Sequence, residues 1–341
     1  MKEIQEILEL WGAVRRTGDS AVLATVVETS GSSYRLPGAR LLLTRTGQRA
    51  GMVSGGCLED DLVKKAWWWT EAGALLRRYD TTREGEIASE FGLGCNGIIH
   101  VLLERVGPAD CRILDLLREV RETRRSITVS HILAPDRIGE RLIGQAAPPE
   151  VKAFVEELTP PVHLLLFGAG DDAAPMLGLA KYLGWRVTVF DGRAHYARRD
   201  KFLQADNVIV APVAEAAAAV STDAWTVAVL MTHSYRQDLD ALGELSKKPL
   251  RYLGILGPRK RSSQLLLDAG LEPERLLPAL HSPMGLDIGA DGPQQVALAA
   301  IAEIQATLNG RVGGLLREGT GSIHAPEEAE PAAWVRSIAC A

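Results

Sequence analysis

Five short, mostly apolar runs in the second half of the chain constrain its fold more than any other feature: Val162–Phe167, Arg186–Phe190, Asn207–Ala211, Thr226–Met231 and Arg251–Leu256. Each is too continuous to leave one face wet and too short to cross a membrane. Helical patterns separate them, at Ala174–Leu183, Ala214–Ala219, Asp238–Leu245 and Arg259–Ala269. Buried strands alternating with helices imply a parallel sheet covered on both faces.

The first of these strands ends in Phe167-Gly168-Ala169-Gly170-Asp171-Asp172-Ala173 and leads into a helix. Gly168 permits a tight turn, Gly170 lets a pyrophosphate approach the helix N-terminus, and Ala173 stands where a third glycine would be. Asp191 closes the next strand, about twenty residues on, as an acidic ribose partner would. This context makes the second half Rossmann-like and raises NAD(P) as a candidate ligand. Asp171 and Asp172, however, set two negative charges where the phosphates would sit. His233 and Asp238 follow the end of a central strand, where doubly wound sheets bind ligands.

The first half has a different texture. Helical patterns at Ile4–Arg16, Glu59–Glu71 and Asp110–Thr123 are mixed with strands at Ala21–Glu28, Leu41–Thr44, Ala50–Val53, Arg77–Tyr79, Ile98–Leu103, Ile127–Leu133 and Arg141–Ile143. The spacing predicts one more helix, Glu150–Leu158, between Pro148-Pro149 and Pro160-Pro161. The expected fold class is therefore α/β, with an N-terminal α+β domain (1–147), a linker (148–161) and a Rossmann-like doubly wound parallel-sheet domain (162–310). A C-terminal extension (311–341) is expected to be partly disordered.

The chemistry concentrates in the first half. Ser54-Gly55-Gly56-Cys57-Leu58-Glu59 puts Cys57 at the start of a helix, behind two residues without side chains. Unpaired N–H groups and the helix dipole lower a thiol's pKa there, and the thiolate is the nucleophilic and metal-ligating form. A second small-residue motif, Gly94-Cys95-Asn96-Gly97, follows. Arg35, beside the Gly38 turn, offers a bidentate fork for a phosphate. The other cysteines are Cys111, at the start of an amphipathic helix, and Cys340, in the tail; no C-x-x-C pair suggests structural zinc. Trp67-Trp68-Trp69 is unusual, because one helix cannot bury three consecutive indoles on one face. At least one is expected to be exposed, for self-association or docking to a partner.

Composition excludes other classes. The net charge of −5 offers no basic field for nucleic acid. No stretch is apolar enough to span a membrane, and the acidic amphipathic N-terminus is unlike a signal peptide, so a cytoplasmic protein with free thiols is expected.

Taken in order, Gly31-Ser32-Ser33, Pro37-Gly38-Ala39, Ser54-Gly55-Gly56-Cys57-Leu58-Glu59 and Gly94-Cys95-Asn96-Gly97 resemble the N-terminal domain of the XdhC/CoxI family, accessory proteins of molybdenum hydroxylases such as xanthine dehydrogenase. Phe167-Gly168-Ala169-Gly170, Asp191-Gly192-Arg193, Met231-Thr232-His233 with Asp238, and His281-Ser282-Pro283-Met284-Gly285 resemble segments of its Rossmann domain. Asp171, where the family commonly has histidine, Asn96 and Pro258 depart from its pattern. The resemblance implies a homodimeric, non-catalytic carrier. It would bind molybdenum cofactor of the molybdopterin type, support its sulfuration by a cysteine desulfurase and hand it to the apo-enzyme of a molybdenum hydroxylase. Cys57 and Cys95 would then transfer sulfur or, for Cys57, ligate molybdenum. Arg35, Gly38, Ser54, Gly55, Gly56, Gly168, Gly170, Asp191, His233 and Asp238 would surround the cofactor. The Rossmann half alone leaves a NAD(P)-dependent oxidoreductase as the alternative, and Cys57 alone a redox or sulfur-transfer protein without a pterin.

Overall fold

In the computed structural model, residues 2–81, 97–109, 111–271 and 279–318 are described. The chain divides into two compact units, the first running to Pro160 and the second starting at Pro161.

The first unit opens with helix α1 (Lys2–Thr17), followed by β1 (Ala21–Gly31), β2 (Arg40–Thr44), β3 (Arg49–Gly51), helix α2 (Cys57–Trp69), β4 (Leu75–Asp80) and β5 (Gly97–Val106). The strands form one antiparallel sheet in the order β3-β2-β1-β5-β4. Alternation on β1 and β2 feeds two cores. Leu23 and Leu42 join α1 and the helix Arg112–Thr123 on one face, while Val22, Leu41 and Leu43 meet Leu58, Leu62 and Ala66 of α2 on the other. This double cover explains why the first seven residues of β1 are all buried. On α2, Trp67 and Trp69 pack against the sheet-side core and Trp68 is 71% exposed, as three consecutive indoles require.

A second antiparallel sheet, in the order β7-β6-β8, contains β6 (Ile127–Ile132), β7 (Arg141–Ile143) and β8 (Ala153–Leu158). Strand β8 replaces the expected helix Glu150–Leu158, and it belongs to the first unit's fold rather than to a free linker. Phe154, Glu156 and Leu158 point inward with period two. Glu156 hid that alternation in the sequence, since a glutamate at a core position reads as a polar, helix-favouring residue. Its burial is compensated by an ion pair with buried Arg40 and a 2.7 Å hydrogen bond with His131.

The second unit carries a parallel sheet of β9 (His163–Phe167), β10 (Arg186–Asp191), β11 (Asn207–Val210), β12 (Thr226–Leu230), β13 (Tyr252–Ile255) and β14 (Leu280–His281). Their order, β11-β10-β9-β12-β13-β14, is that of dinucleotide-type doubly wound sheets. The expected apolar runs become β9 to β13, but β11 is not the buried strand expected: it lies at the sheet edge, with Ile209 and Val210 exposed. Helix Pro293–Leu308, not anticipated from the sequence, buries Ala297, Ala300, Ile301 and Ile304 and packs on helix Ala173–Tyr182. Small residues on both helices permit that approach while weakening the amphipathic signal.

Candidate functional site

The Ser54 loop of the first unit is organised around one buried carboxylate. Glu59, in the first turn of α2, accepts the N–H groups of Val53 (2.9 Å), Ser54 (2.7 Å) and Gly56 (3.0 Å), together with the Ser54 hydroxyl. The Ser54 hydroxyl oxygen also accepts the N–H groups of Gly56 and Leu58, at 3.2 and 3.1 Å. Burial by itself would raise the pKa of Glu59. The bonds from Ser54 and its neighbours outweigh it and hold the group below the ordinary 4.5. The loop is thus clamped from beneath, and Cys57 is the first residue of α2.

Above this clamp the backbone is bare. Gly55 and Gly56 are exposed, and Gly56 has φ 120°, a conformation that side chains disfavour. A Cβ there would meet no atom within 4 Å, so backbone conformation rather than crowding demands the glycine. A Cβ on Gly55 would lie 3.9 Å from the ring of Tyr34, itself 65% exposed. The result is a flat, accessible helix start with an aromatic ring beside it.

Two sequence expectations near this loop change. The Arg35 guanidinium forms a bidentate pair with the Glu3 carboxylate on α1, so it is already occupied and does not stand ready for a phosphate. Gly38, at φ 99°, shapes the turn into β2; its N–H donates to the Val26 carbonyl and its own carbonyl accepts from Arg40. Cys95 lies outside the described residues, as do Cys340 and the end of the tail. Gly97, two residues after Cys95, begins β5 opposite Gly31. A Cβ on it would fall 2.2 Å from the Ser32 carbonyl oxygen, which excludes any other residue. The Gly31–Tyr34 loop therefore touches the chain beside both cysteine motifs, reaching Gly97 through Ser32 and Gly55 through Tyr34.

In the second unit, Gly168, Gly170 and His233 come together at the C-terminal ends of β9 and β12, the switch point of the sheet. A Cβ on Gly168 would lie 2.3 Å from the Met231 carbonyl oxygen; one on Gly170 would meet Asp172 and His233. His233, at φ 61°, reaches the Asp172 carboxylate at 2.7 Å across the crevice. Asp171 pairs with Lys201 at 2.8 Å, and Lys201 also donates to the Ala169 carbonyl. The two aspartates are therefore not the bare charges that the sequence suggested.

Asp191 is fully buried and accepts from the Ala169 N–H, the Arg193 N–H and two guanidinium nitrogens of Arg193, all at 2.8–2.9 Å. Burial opposes its charge, but these donors hold its pKa below the ordinary 3.8. Four donors saturate a carboxylate, leaving none of its acceptor sites for a ribose hydroxyl. Asp238 is likewise internal, accepting from Thr232 and from Arg261 at 2.7 Å. Both residues shape the crevice.

Sequence reasoning missed the organising roles of Glu59, Asp172 and Arg193. Glu59 had a readable signal, a glutamate three residues after the helix-start glycine Gly56, placed to reach back to its N–H. The Asp172–His233 contact depends on the juxtaposition of β9 and β12 and has no local signal.

Comparison with known proteins follows this division. Residues 164–304 match the XdhC Rossmann domain model, and residues 14–80 match the XdhC and CoxI family model. A Bacillus subtilis protein described as a probable xanthine dehydrogenase subunit is 32% identical over 313 residues, covering 85% of this chain and 93% of its own length. The molybdenum cofactor insertion chaperone PaoD of Escherichia coli is 26% identical over 300 residues, covering 84% and 83%. A crystal structure from Bacillus halodurans, described as a xanthine dehydrogenase, superposes with TM-score 0.77 at 29% identity, covering 89% of this chain and 96% of that one. By sequence over most of its length and by fold, this chain belongs to the XdhC and CoxI family.

Proposed function

We propose that this protein is an accessory factor for the maturation of a molybdenum hydroxylase, one that binds molybdenum cofactor of the molybdopterin type and delivers it to the apo-enzyme. In this reading it works in the cytoplasm as a homodimer and supports sulfuration of the cofactor by a cysteine desulfurase. The carrying observation is the place of Cys57 in the chain: it is the first residue of α2 and directly follows the exposed Gly55 and Gly56, whose loop Glu59 holds through the N–H groups of Ser54 and Gly56. The description of one relative as a molybdenum cofactor insertion chaperone supports the same reading.

The residues present suit such a group. A molybdopterin-type cofactor combines a dithiolene, a flat pterin and a phosphate. A helix N-terminus favours the anionic phosphate and oxo groups. The exposed Tyr34 ring beside Gly55 offers a stacking face for the pterin. A thiolate at Cys57 is a soft ligand for the metal or an acceptor for a sulfur atom, with Cys95 as the second thiol. Bound there, the molybdenum centre would supply the oxo or sulfido group that the hydroxylase needs. Arg35 does not enter this reading, because Glu3 holds it.

The rival reading, a NAD(P)-dependent oxidoreductase, is weakened by the saturation of Asp191 and by the Asp172–His233 contact across the crevice. The test is to load the purified full chain anaerobically with released molybdenum cofactor and add apo-hydroxylase. Co-elution of molybdenum and pterin, followed by recovery of hydroxylase activity, is expected. Saturable NAD(P)H binding with substrate-dependent oxidation, and no pterin retained, would overturn the proposal.

A further inference from the structure

We propose that the Trp68 face of α2 is a docking surface for an acidic face of a partner protein. Trp68 is 71% exposed, and Lys64, one turn earlier, shares its side of the helix. Cations are held against the two neighbouring indoles. Trp67 lies under Arg45 and Arg105, at 5.6 and 5.1 Å from the ring centroid, and Trp69 under Arg77 and Lys65, at 4.5 and 5.8 Å. Arg105 also donates to the backbone carbonyl of Trp67. Lys65 pairs with Asp61 at 2.5 Å. Among the described residues, Arg45, Lys64, Arg77 and Arg105 have no carboxylate partner at ion-pair distance.

This arrangement is unlike an ordinary solvated face. The chain carries a net charge of −5, so a cluster of unneutralised cations is not a by-product of its composition. Glu71, exposed beyond the helix end, only partly offsets it. Stacking on the indoles fixes the guanidinium groups in place, which reduces the ordering cost of a partner's carboxylates. An exposed tryptophan between two indoles that carry arginines has the composition of an interface hot spot.

Charge also chooses between occupants. A two-fold dimer through this face would set the same patch against itself and bring Arg45, Lys64, Arg77 and Arg105 towards their own copies. That repulsion disfavours self-association here and favours a different, acidic surface. The choice of the apo-hydroxylase as the partner rests on the accessory role proposed above.

The test measures binding of the purified full chain to apo-hydroxylase for the wild type, Trp68→Ala, Lys64→Glu and Lys64→Arg. Trp68→Ala and Lys64→Glu are each expected to weaken binding by about tenfold or more. Lys64→Arg should bind like the wild type, and salt should weaken the wild-type complex. Unchanged melting temperature and unchanged pterin retention would show that neither fold nor cofactor site has moved. Wild-type affinity in both Trp68→Ala and Lys64→Glu would overturn the proposal. So would a shift of Trp68→Ala from dimer to monomer, which would assign the face to a second copy. Absence of wild-type binding to the apo-hydroxylase would also overturn it, while pterin retention by the same preparation would judge the cofactor role separately.

Discussion

Ser54 donates both its backbone N–H and its hydroxyl to the carboxylate of Glu59, five residues on, and this pair fixes the backbone that leads into Cys57. Glu59→Gln keeps the size of the side chain but replaces an acceptor oxygen with an amide that faces N–H donors. It should destabilise the protein by about 1–3 kcal/mol and lower pterin retention. Because the folded-state pKa is depressed, the contribution of Glu59 is complete above the ordinary 4.5 and is lost as pH falls through the folded value. Denaturant unfolding as a function of pH should therefore show a smaller acid loss in Glu59→Gln than in the wild type.

A second buried network tests the first unit's fold. Arg40 and Glu156 form an ion pair in the interior, and His131 bonds to the same Glu156 oxygen at 2.7 Å. Arg40→Met should cost about 3–5 kcal/mol, because it strands a buried carboxylate.

The pH dependence of that network has two windows. Burial is the largest influence on His131 and pushes its pKa below 6.5, so the unfolded chain takes up the proton first and stability should fall as pH drops from 6.5. Burial opposes the charge of Glu156, but Arg40 and His131 hold its pKa down to about 2, so its contribution is lost between 4.5 and about 2. His131→Gln should flatten the upper window and leave the lower one, as read from unfolding free energy at a series of pH values.

Two glycines should respond to the same substitution for different reasons and to different extents. Gly168→Ala places a Cβ 2.3 Å from the Met231 carbonyl oxygen and must push β9 and β12 apart, so melting of the second unit should drop sharply. Gly56→Ala meets open space and carries only the backbone strain of φ 120°, about 1–3 kcal/mol. Its larger effect should be on cofactor retention, since it adds a side chain to the exposed backbone directly before α2. Calorimetry with a pterin co-elution assay separates the two outcomes.

The crevice in the second unit makes a further prediction. With every acceptor site of Asp191 engaged by Ala169 and Arg193, the wild type should show no saturable change in NAD(P)H fluorescence at ordinary cellular concentrations. Saturable binding would mean that Arg193 moves away and frees the carboxylate.

The parts of the fold legible in the sequence are those governed by local pattern. The run Val162–Phe167 could only be a strand buried on both faces, and it is β9. Glycine positions announced the turn at Gly168 and the start of α2. What stayed hidden depends on pairs distant in sequence. Glu156 looked like a helix residue because its partners, Arg40 and His131, lie 116 and 25 residues away. Arg35 looked free because Glu3, its partner, lies 32 residues earlier on a helix. Asp171 and Asp172 looked like bare charges because Lys201 and His233 approach them only in the folded sheet.

The most direct test of the central claim compares cofactor retention by Cys57→Ala and Cys111→Ala with that of the wild type. Cys111 is a suitable control: it too stands at a helix start, as the N-cap of Arg112–Thr123, but it is only 4% exposed and burial pushes its thiol up to about 12. After anaerobic loading with released molybdenum cofactor and gel filtration, the wild type and Cys111→Ala should retain molybdenum and pterin in equal proportion, and Cys57→Ala should lose both. Retention by Cys57→Ala equal to that of the wild type would contradict the account.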